Sequence, residues 1–206
     1  MKRRVYLDHL SGGPLAPEVS AAMRPWLEEI HGNAASLHRH GLKAREALDT
    51  AAAQCAAMIG APADDLVFTS SGTEANNLAV KGVAEAQRER GTHLILSNIE
   101  HPSIDQSVAW LEQQGFTATR VPVDREGRLS VGAVTEAITK QTILIATHHA
   151  NHDLGTVQNL PELGALAGER GIPLLIDATA SGGWLPVDVT AHSISCLLYT
   201  SDAADE

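Results

Sequence analysis

From residue 66 onward, short runs of β-branched and aliphatic residues alternate with stretches whose apolar positions recur at helical spacing. The apolar runs are residues 66–69, 94–96, 118–123, 143–145 and 174–176. Between and after them the helical stripes are Leu78, Gly82 and Val83, then Ile104, Val108 and Leu111, then Val134 and Ile138, then Leu163 and Leu166. Gly91, Gly115 and Gly171 stand after three of these stripes as stop signals. The strand-like runs are continuously apolar, as strands covered on both faces are, so the pattern predicts parallel strands joined by crossover helices. Ahead of this alternation lie two predicted helices, residues 17–30 and 42–59, the second with Leu48, Ala52, Cys55 and Ile59 on one side. A polar, histidine-rich loop, residues 31–41, separates them.

Composition changes this picture little. The 206 residues are 44% hydrophobic and 19% charged, an ordinary globular balance that needs no disulfide or metal staple. The two cysteines, Cys55 and Cys196, have neither metal-ligand nor redox spacing, which fits a reducing compartment. A formal charge of −10 argues against nucleic acid or an anionic membrane as the general partner. The basic start at Lys2, Arg3 and Arg4 runs into Asp8 and His9 without an apolar signal region, and nothing reaches the ~20 apolar residues of a membrane span. The expectation is a cytoplasmic protein.

Residues 196–206 break the pattern and read as the translation of a sequencing-library adapter, so they are set outside the fold; the competing reading is a genuine polar tail. The expectation is therefore a gene truncated near Ser195.

Candidate chemistry gathers where strands end. Residues 67–77 read as strand, small-residue turn and helix start, and the free N–H groups of such a start suit a phosphate; the competing reading is that Ser71 or Thr73 merely caps the helix. Asp177 closes the apolar run 174–176, where open α/β sheets bind ligands. It could pair with a cationic ring nitrogen or simply satisfy a turn. Glu100 and His101 follow the run 94–96. His148, His149, Asn151 and His152 follow 143–145, with zinc as the less favoured use of the histidines. Dinucleotide, P-loop, zincin and α/β-hydrolase motifs are all missing.

In order and spacing these segments resemble the cysteine desulfurase family, in the class V aminotransferase group of fold-type I pyridoxal 5'-phosphate (PLP) enzymes. The likeness runs from residue 5 to 190. It is carried by residues 6–9, Gly32, Asn33, residues 36–38, Gly41, residues 68–77, Glu100, His101, Asn151, residues 155–158, residues 177–179 and residues 185–188. The resemblance implies an α/β fold, a three-layer αβα PLP-transferase large domain with a mainly parallel sheet. Residues 1–195 would then supply an N-terminal segment and an incomplete large domain, with the small C-terminal domain missing.

It also implies roles. Gly72 and Thr73 would hold the PLP phosphate. His101 would stack on the ring and act catalytically in proton transfer, Asn151 would contact ring hydroxyl and substrate, and Asp177 would pair with the ring nitrogen, with no metal involved. The implied reaction converts L-cysteine to L-alanine, passing sulfur to a protein cysteine as a persulfide for iron–sulfur cluster or thio-cofactor assembly. The implied partners are L-cysteine, a sulfur-acceptor protein and a second copy in a homodimer.

The sequence also departs from the family. The cofactor-anchoring lysine, expected in a Ser-x-His-Lys run beyond Ser195, and the nucleophilic cysteine are both missing, so the chain as written is expected to be inactive. Ala180 replaces a usual Gln, residues 10–14 replace a usual Ala-Thr-Thr-Pro, and Ser71 replaces a usual Gly. These departures keep two alternatives: another class V enzyme (selenocysteine lyase, aminotransferase or epimerase) and a non-catalytic scaffold of the same fold.

Overall fold

The computed structural model describes residues 5–7, 9 and 12–199; Asp8, Leu10, Ser11 and residues 200–206, all part of the sequence-based reading, lie outside the described residues. The chain forms two compact units, Met1–Val67 and Phe68–Glu206.

In the first unit, α1 (Pro17–Glu28) opens with Pro17, whose missing N–H costs nothing at a helix start. Helix α2 (Arg39–Ile59) begins three residues earlier than the apolar pattern predicts, because His38 caps it, Nδ1 accepting from the Gly41 N–H at 3.2 Å. Its predicted stripe is only half-buried at Ala52, Cys55 and Ile59, and Leu48 is exposed.

The second unit contains α3 (Gly72–Ala86), β1 (His93–Ser97), α4 (Pro102–Gln113), β2 (Thr117–Val121), α5 (Val131–Ala137), β3 (Thr142–His148), α6 (Leu160–Arg170), β4 (Leu174–Asp177) and β5 (Cys196–Leu198). The sheet order is β2-β1-β3-β4-β5 with every pair parallel. Alternate strand residues feed two separate cores. Ile95, Ile145, Leu174 and Ile176 pack with Val134 of α5 and Leu160, Leu163 and Leu166 of α6. Leu94, Leu96, Leu144 and Leu175 pack with Val80 and Ala84 of α3 and Ile104, Val108 and Leu111 of α4. The sheet is thus the middle of three layers, as the continuously apolar strands predict.

Four expectations need correction. Residues 66–69 are not a strand: the segment belongs to no strand ladder among the described residues, and Val67 is 69% exposed. Apolar β-branched content measures fitness for a pleated surface, not the presence of a neighbour. Leu78 is 55% exposed, since the buried face of α3 runs through Asn76, Val80 and Ala84. Gly171 does close α6 with a φ of 59°, but Gly91 lies beyond the α3 cap at Gln87. Gly91 serves close approach instead, since a Cβ there would overlap the Gln141 carbonyl oxygen. Finally, Cys196–Leu198, set outside the fold on sequence grounds, pair with Leu175–Asp177 as β5. A short apolar run is enough to occupy the open edge of β4.

Candidate active site

The strand order reverses at β1, whose neighbours are β2 on one side and β3 on the other, so the crevice beyond the carboxyl ends of β1 and β3 is the topological switch point. Register places His148 directly opposite Asp177 across β3 and β4. The predicted residues therefore converge at one end of the sheet.

Helix α3 starts beside this end. Ser71 caps it, Oγ accepting from the Glu74 N–H at 3.1 Å. Glu74 turns back to accept from the hydroxyl and N–H of Ser70, both at 2.6 Å, and these bonds hold its carboxyl below the usual value. The cap consumes the Glu74 N–H; those of Gly72 and Thr73 find no hydrogen-bond partner among the described residues. A helix start left this way suits an anion.

One turn into α3, Asn76 is 2% exposed. Its amide nitrogen donates to Asp177 Oδ2 at 3.0 Å and to Ser103 Oγ at 2.9 Å. Asp177, 6% exposed, also accepts from the Thr179 N–H at 2.9 Å through Oδ1, so the turn-satisfying role holds alongside any role toward a ligand. His101 caps α4. Its Nδ1 accepts from the Ser103 N–H at 3.2 Å and lies 2.7 Å from Ser103 Oγ, and its ring meets that of His152 edge-on at 5.4 Å. Asn151 donates to the Ile99 carbonyl at 3.1 Å and accepts from the N–H groups of Asp153 and Leu154, which leaves one amide hydrogen uncommitted among the described residues.

Behind His101 lies a second network. Gln158 accepts from the Leu129 N–H at 2.9 Å, which fixes its amide and turns its nitrogen toward the Gly127 carbonyl and His148 Nε2, each at 2.9 Å. Nε2 of His148 is therefore an acceptor, and Nδ1 carries the proton that it donates to Glu100 Oε1 at 2.9 Å. The Glu100 side chain is 0% exposed and also accepts from the Ser97 hydroxyl. His149 pairs with Ser181 Oγ at 3.0 Å; burial pushes its pKa down, and His192 and His148 push it the same way. His148, His149 and His152 thus serve three different neighbourhoods, and the described residues contain no group of three or more ligands placed for a metal.

Among the described residues, three buried polar atoms lack a partner: Asn76 Oδ1, Glu100 Oε2 and Thr179 Oγ1. All three belong to residues gathered at the same end of the sheet, and buried atoms of this kind normally find a partner. The donor set fits a phosphorylated, nitrogen-bearing ring: unpaired helix N–H groups for a dianion and a buried carboxylate for a cationic nitrogen. A cleft of about 370 Å³ flanks α4, lined by Asn98, Glu100, Asp105, Gln106 and Arg120 among others, but Arg120 is already paired with Asp105 and Glu112. Of the residues that matter here, sequence reasoning passed over Asn76, Ser103 and the Glu100–His148–Gln158 bonding. The signal for Asn76 was present, a polar side chain four and eight residues ahead of Val80 and Ala84 on a buried face.

The chain is similar to known proteins in sequence and in structure. Cysteine desulfurase IscS of Dictyoglomus turgidum is 42% identical over 197 residues, spanning 96% of this chain and 50% of that protein. Cysteine desulfurase IscS of Methanosarcina thermophila is 39% identical over 195 residues, 95% of this chain and 48% of that one. The chain thus spans about half the length of the curated relatives it matches. Among solved structures, SspA in complex with cysteine superposes with a TM-score of 0.92 at 36% identity, covering 96% of this chain and 57% of that one. A NifS-like protein reaches the same TM-score at 25% identity, covering 96% and 55%. The described residues contain no helix long and apolar enough to cross a membrane. The family model for class-V aminotransferases matches residues 5–201, and with the sheet order and the strand-end cluster this establishes that the chain belongs to the class-V aminotransferase family.

Proposed function

We propose that this chain is part of a PLP-dependent cysteine desulfurase, which takes sulfur from L-cysteine, leaves L-alanine and passes the sulfur as a persulfide toward iron–sulfur cluster or thio-cofactor assembly. The observation that carries this reading is the tie between α3 and β4. One helix offers N–H groups at Gly72 and Thr73 that are unpaired among the described residues and, one turn later, grips the buried Asp177 through Asn76. The names of the relatives and the cysteine-bound structural neighbour support the same substrate.

Gly72 and Thr73 would hold the phosphate, the Thr73 hydroxyl adding a donor. Asp177 would keep the ring nitrogen protonated, His101 would lie against the ring and move a proton at its imidazole, and Asn151 would offer its uncommitted N–H to the ring hydroxyl and substrate. Bound there, PLP supplies an electron sink for breaking bonds at the amino-acid α-carbon. The lysine and the cysteine that the full reaction needs would follow Ser195. Lys81 is engaged by Asn77 and lies over Trp110. Burial pushes the Cys196 thiol up, away from the thiolate a sulfur acceptor needs. The chain by itself is therefore expected to bind the cofactor without completing turnover. A homodimer, a sulfur-acceptor protein and a cytoplasmic location complete the proposal.

The deciding experiment reads the gene beyond codon 195 from the same source, without adapter sequence, and assays the encoded protein with L-cysteine. Release of alanine with sulfide under reducing conditions supports the reading. Because Ala180 offers no side-chain donor to the ring hydroxyl, keto-acid formation from other amino acids is assayed in parallel, and that outcome assigns another class V reaction instead. A protein that takes up no PLP overturns both.

A further inference from the structure

The hydrogen bonds around Asn76 form a chain with a direction. We infer that Asn76 is a positioning residue that transmits the state of Asp177 to His101 through Ser103, fixing the imidazole with Nδ1 as acceptor and Nε2 as the proton-bearing nitrogen. The functional meaning of this relay rests on the reading above; its existence does not.

The direction follows from what each group is able to give. A carboxylate only accepts, so Asp177 Oδ2 at 3.0 Å obliges Asn76 to present its NH₂ end rather than its oxygen. The second hydrogen of that NH₂ goes to Ser103 Oγ at 2.9 Å, filling an acceptor position on the hydroxyl. The Ser103 O–H must then point elsewhere, and His101 Nδ1 lies 2.7 Å away. The Ser103 backbone N–H reaches the same nitrogen at 3.2 Å, and a nitrogen that accepts from an amide holds no proton of its own. Each link is buried except His101 itself, so water does not readily substitute for any of them. The amide oxygen of Asn76 is left buried with no partner. The chain thus tolerates an unsatisfied acceptor to keep the two donors aimed, which a residue serving packing alone would not require.

The consequence is that Asp177 and His101, ends of the relay, do not vary independently. Asp177→Asn leaves one oxygen at position 177 for two donors, the Thr179 N–H and the Asn76 NH₂. If the backbone donor keeps it, Asn76 turns its oxygen toward Ser103, and the hydroxyl then donates to Asn76 rather than to His101.

The test uses the 206-residue chain with ¹⁵N-labelled histidine and no added PLP, reading the His101 ring nitrogens by long-range ¹H–¹⁵N correlation with His101→Gln for assignment. In the unmodified chain Nδ1 resonates as an unprotonated acceptor. Asn76→Leu, which keeps the shape and removes both donors, and Asp177→Asn each move Nδ1 downfield as its donor weakens, and the double variant moves it by less than the sum. Ser103→Ala reproduces the movement and Ser103→Thr, which keeps the hydroxyl, does not; these two carry the test if Asn76→Leu fails to fold. A protonated Nδ1 in the unmodified chain, an unmoved resonance in the variants, or additive movements overturn the relay. PLP binding is read separately from its absorbance and from tryptophan fluorescence. The expected spectra without PLP binding support the relay and overturn the functional reading; binding with additive spectra overturns the relay alone.

Discussion

His148→Leu tests whether the second network holds the strand end that carries His101. The substitution keeps a side chain of similar bulk at this buried position but removes both ring nitrogens. Glu100, whose side chain is wholly buried, then keeps the Ser97 hydroxyl as its remaining side-chain donor, and Gln158 loses the acceptor for one of its two amide hydrogens. A hydrogen bond to a carboxylate contributes about 1.5–3 kcal/mol, and the stranded Gln158 donor adds about 1 kcal/mol, so the loss should be roughly 2.5–4 kcal/mol. For a chain of this size that corresponds to a melting temperature lower by roughly 5–16 °C. The assay is urea unfolding followed by circular dichroism, run as a double-mutant cycle with Glu100→Gln. Removing the charge in the His148→Leu background should recover part of the loss, giving a coupling of at least about 1 kcal/mol. A single-variant cost below about 1 kcal/mol, or two additive costs, would refute the assignment of the Glu100–His148 contact as a supporting bond.

Three further outcomes are expected. Burial pushes the pKa of His93 down, and that of His149 with it, below the ordinary 6.5. Both rings then bind protons more tightly in the unfolded chain, so stability is kept above about pH 6.5 and lost as pH falls below it. His93→Gln should flatten that loss in urea unfolding at a series of pH values. Gly164→Ala should destabilise by roughly 1–3 kcal/mol, because a Cβ there would overlap the His192 carbonyl oxygen, a backbone atom that has little room to yield. Ser71→Ala should cost about 1 kcal/mol by loss of the α3 cap, whereas Ser71→Gly should cost only a few tenths, both read from the urea midpoint.

What the sequence made legible follows from what periodicity measures. The stripes Ile104, Val108, Leu111 and Leu163, Leu166 are buried as read, and β1, β3 and β4 fall where continuous apolar runs lie, because burial on both faces leaves that mark on composition. Pairing leaves no such mark, so residues 66–69 look like a strand without having a neighbour, and Cys196–Leu198 find one against expectation. At the site, His101, Asn151 and Asp177 were legible because each ends a strand or follows one. Asn76 and Ser103 are easily passed over, since each sits inside a helix where a polar residue reads as ordinary surface; only the register of Asn76 with Val80 and Ala84 marks it as buried. The link that gives Asn76 its meaning also lies far along the chain, Asn76 and Asp177 being 101 positions apart. The bonding of His148 was hidden for a related reason: in a run of histidines the ring nitrogens are equivalent until Gln158 and Glu100 differentiate them.

The division of the sheet into two cores carries an asymmetry for how this protein can change. Asn76 and Ser103 stand on α3 and α4, the helices of one face, whereas α5 and α6 on the other face contribute none of the site's side chains. Repacking beneath α5 and α6 alters how firmly the sheet is held while leaving the geometry at its carboxyl end in place. Repacking at Val80, Ala84, Ile104 or Val108 shifts the platforms from which Asn76 and Ser103 reach out, so stability and site geometry move together there. One face is free to drift in sequence; the other is constrained twice.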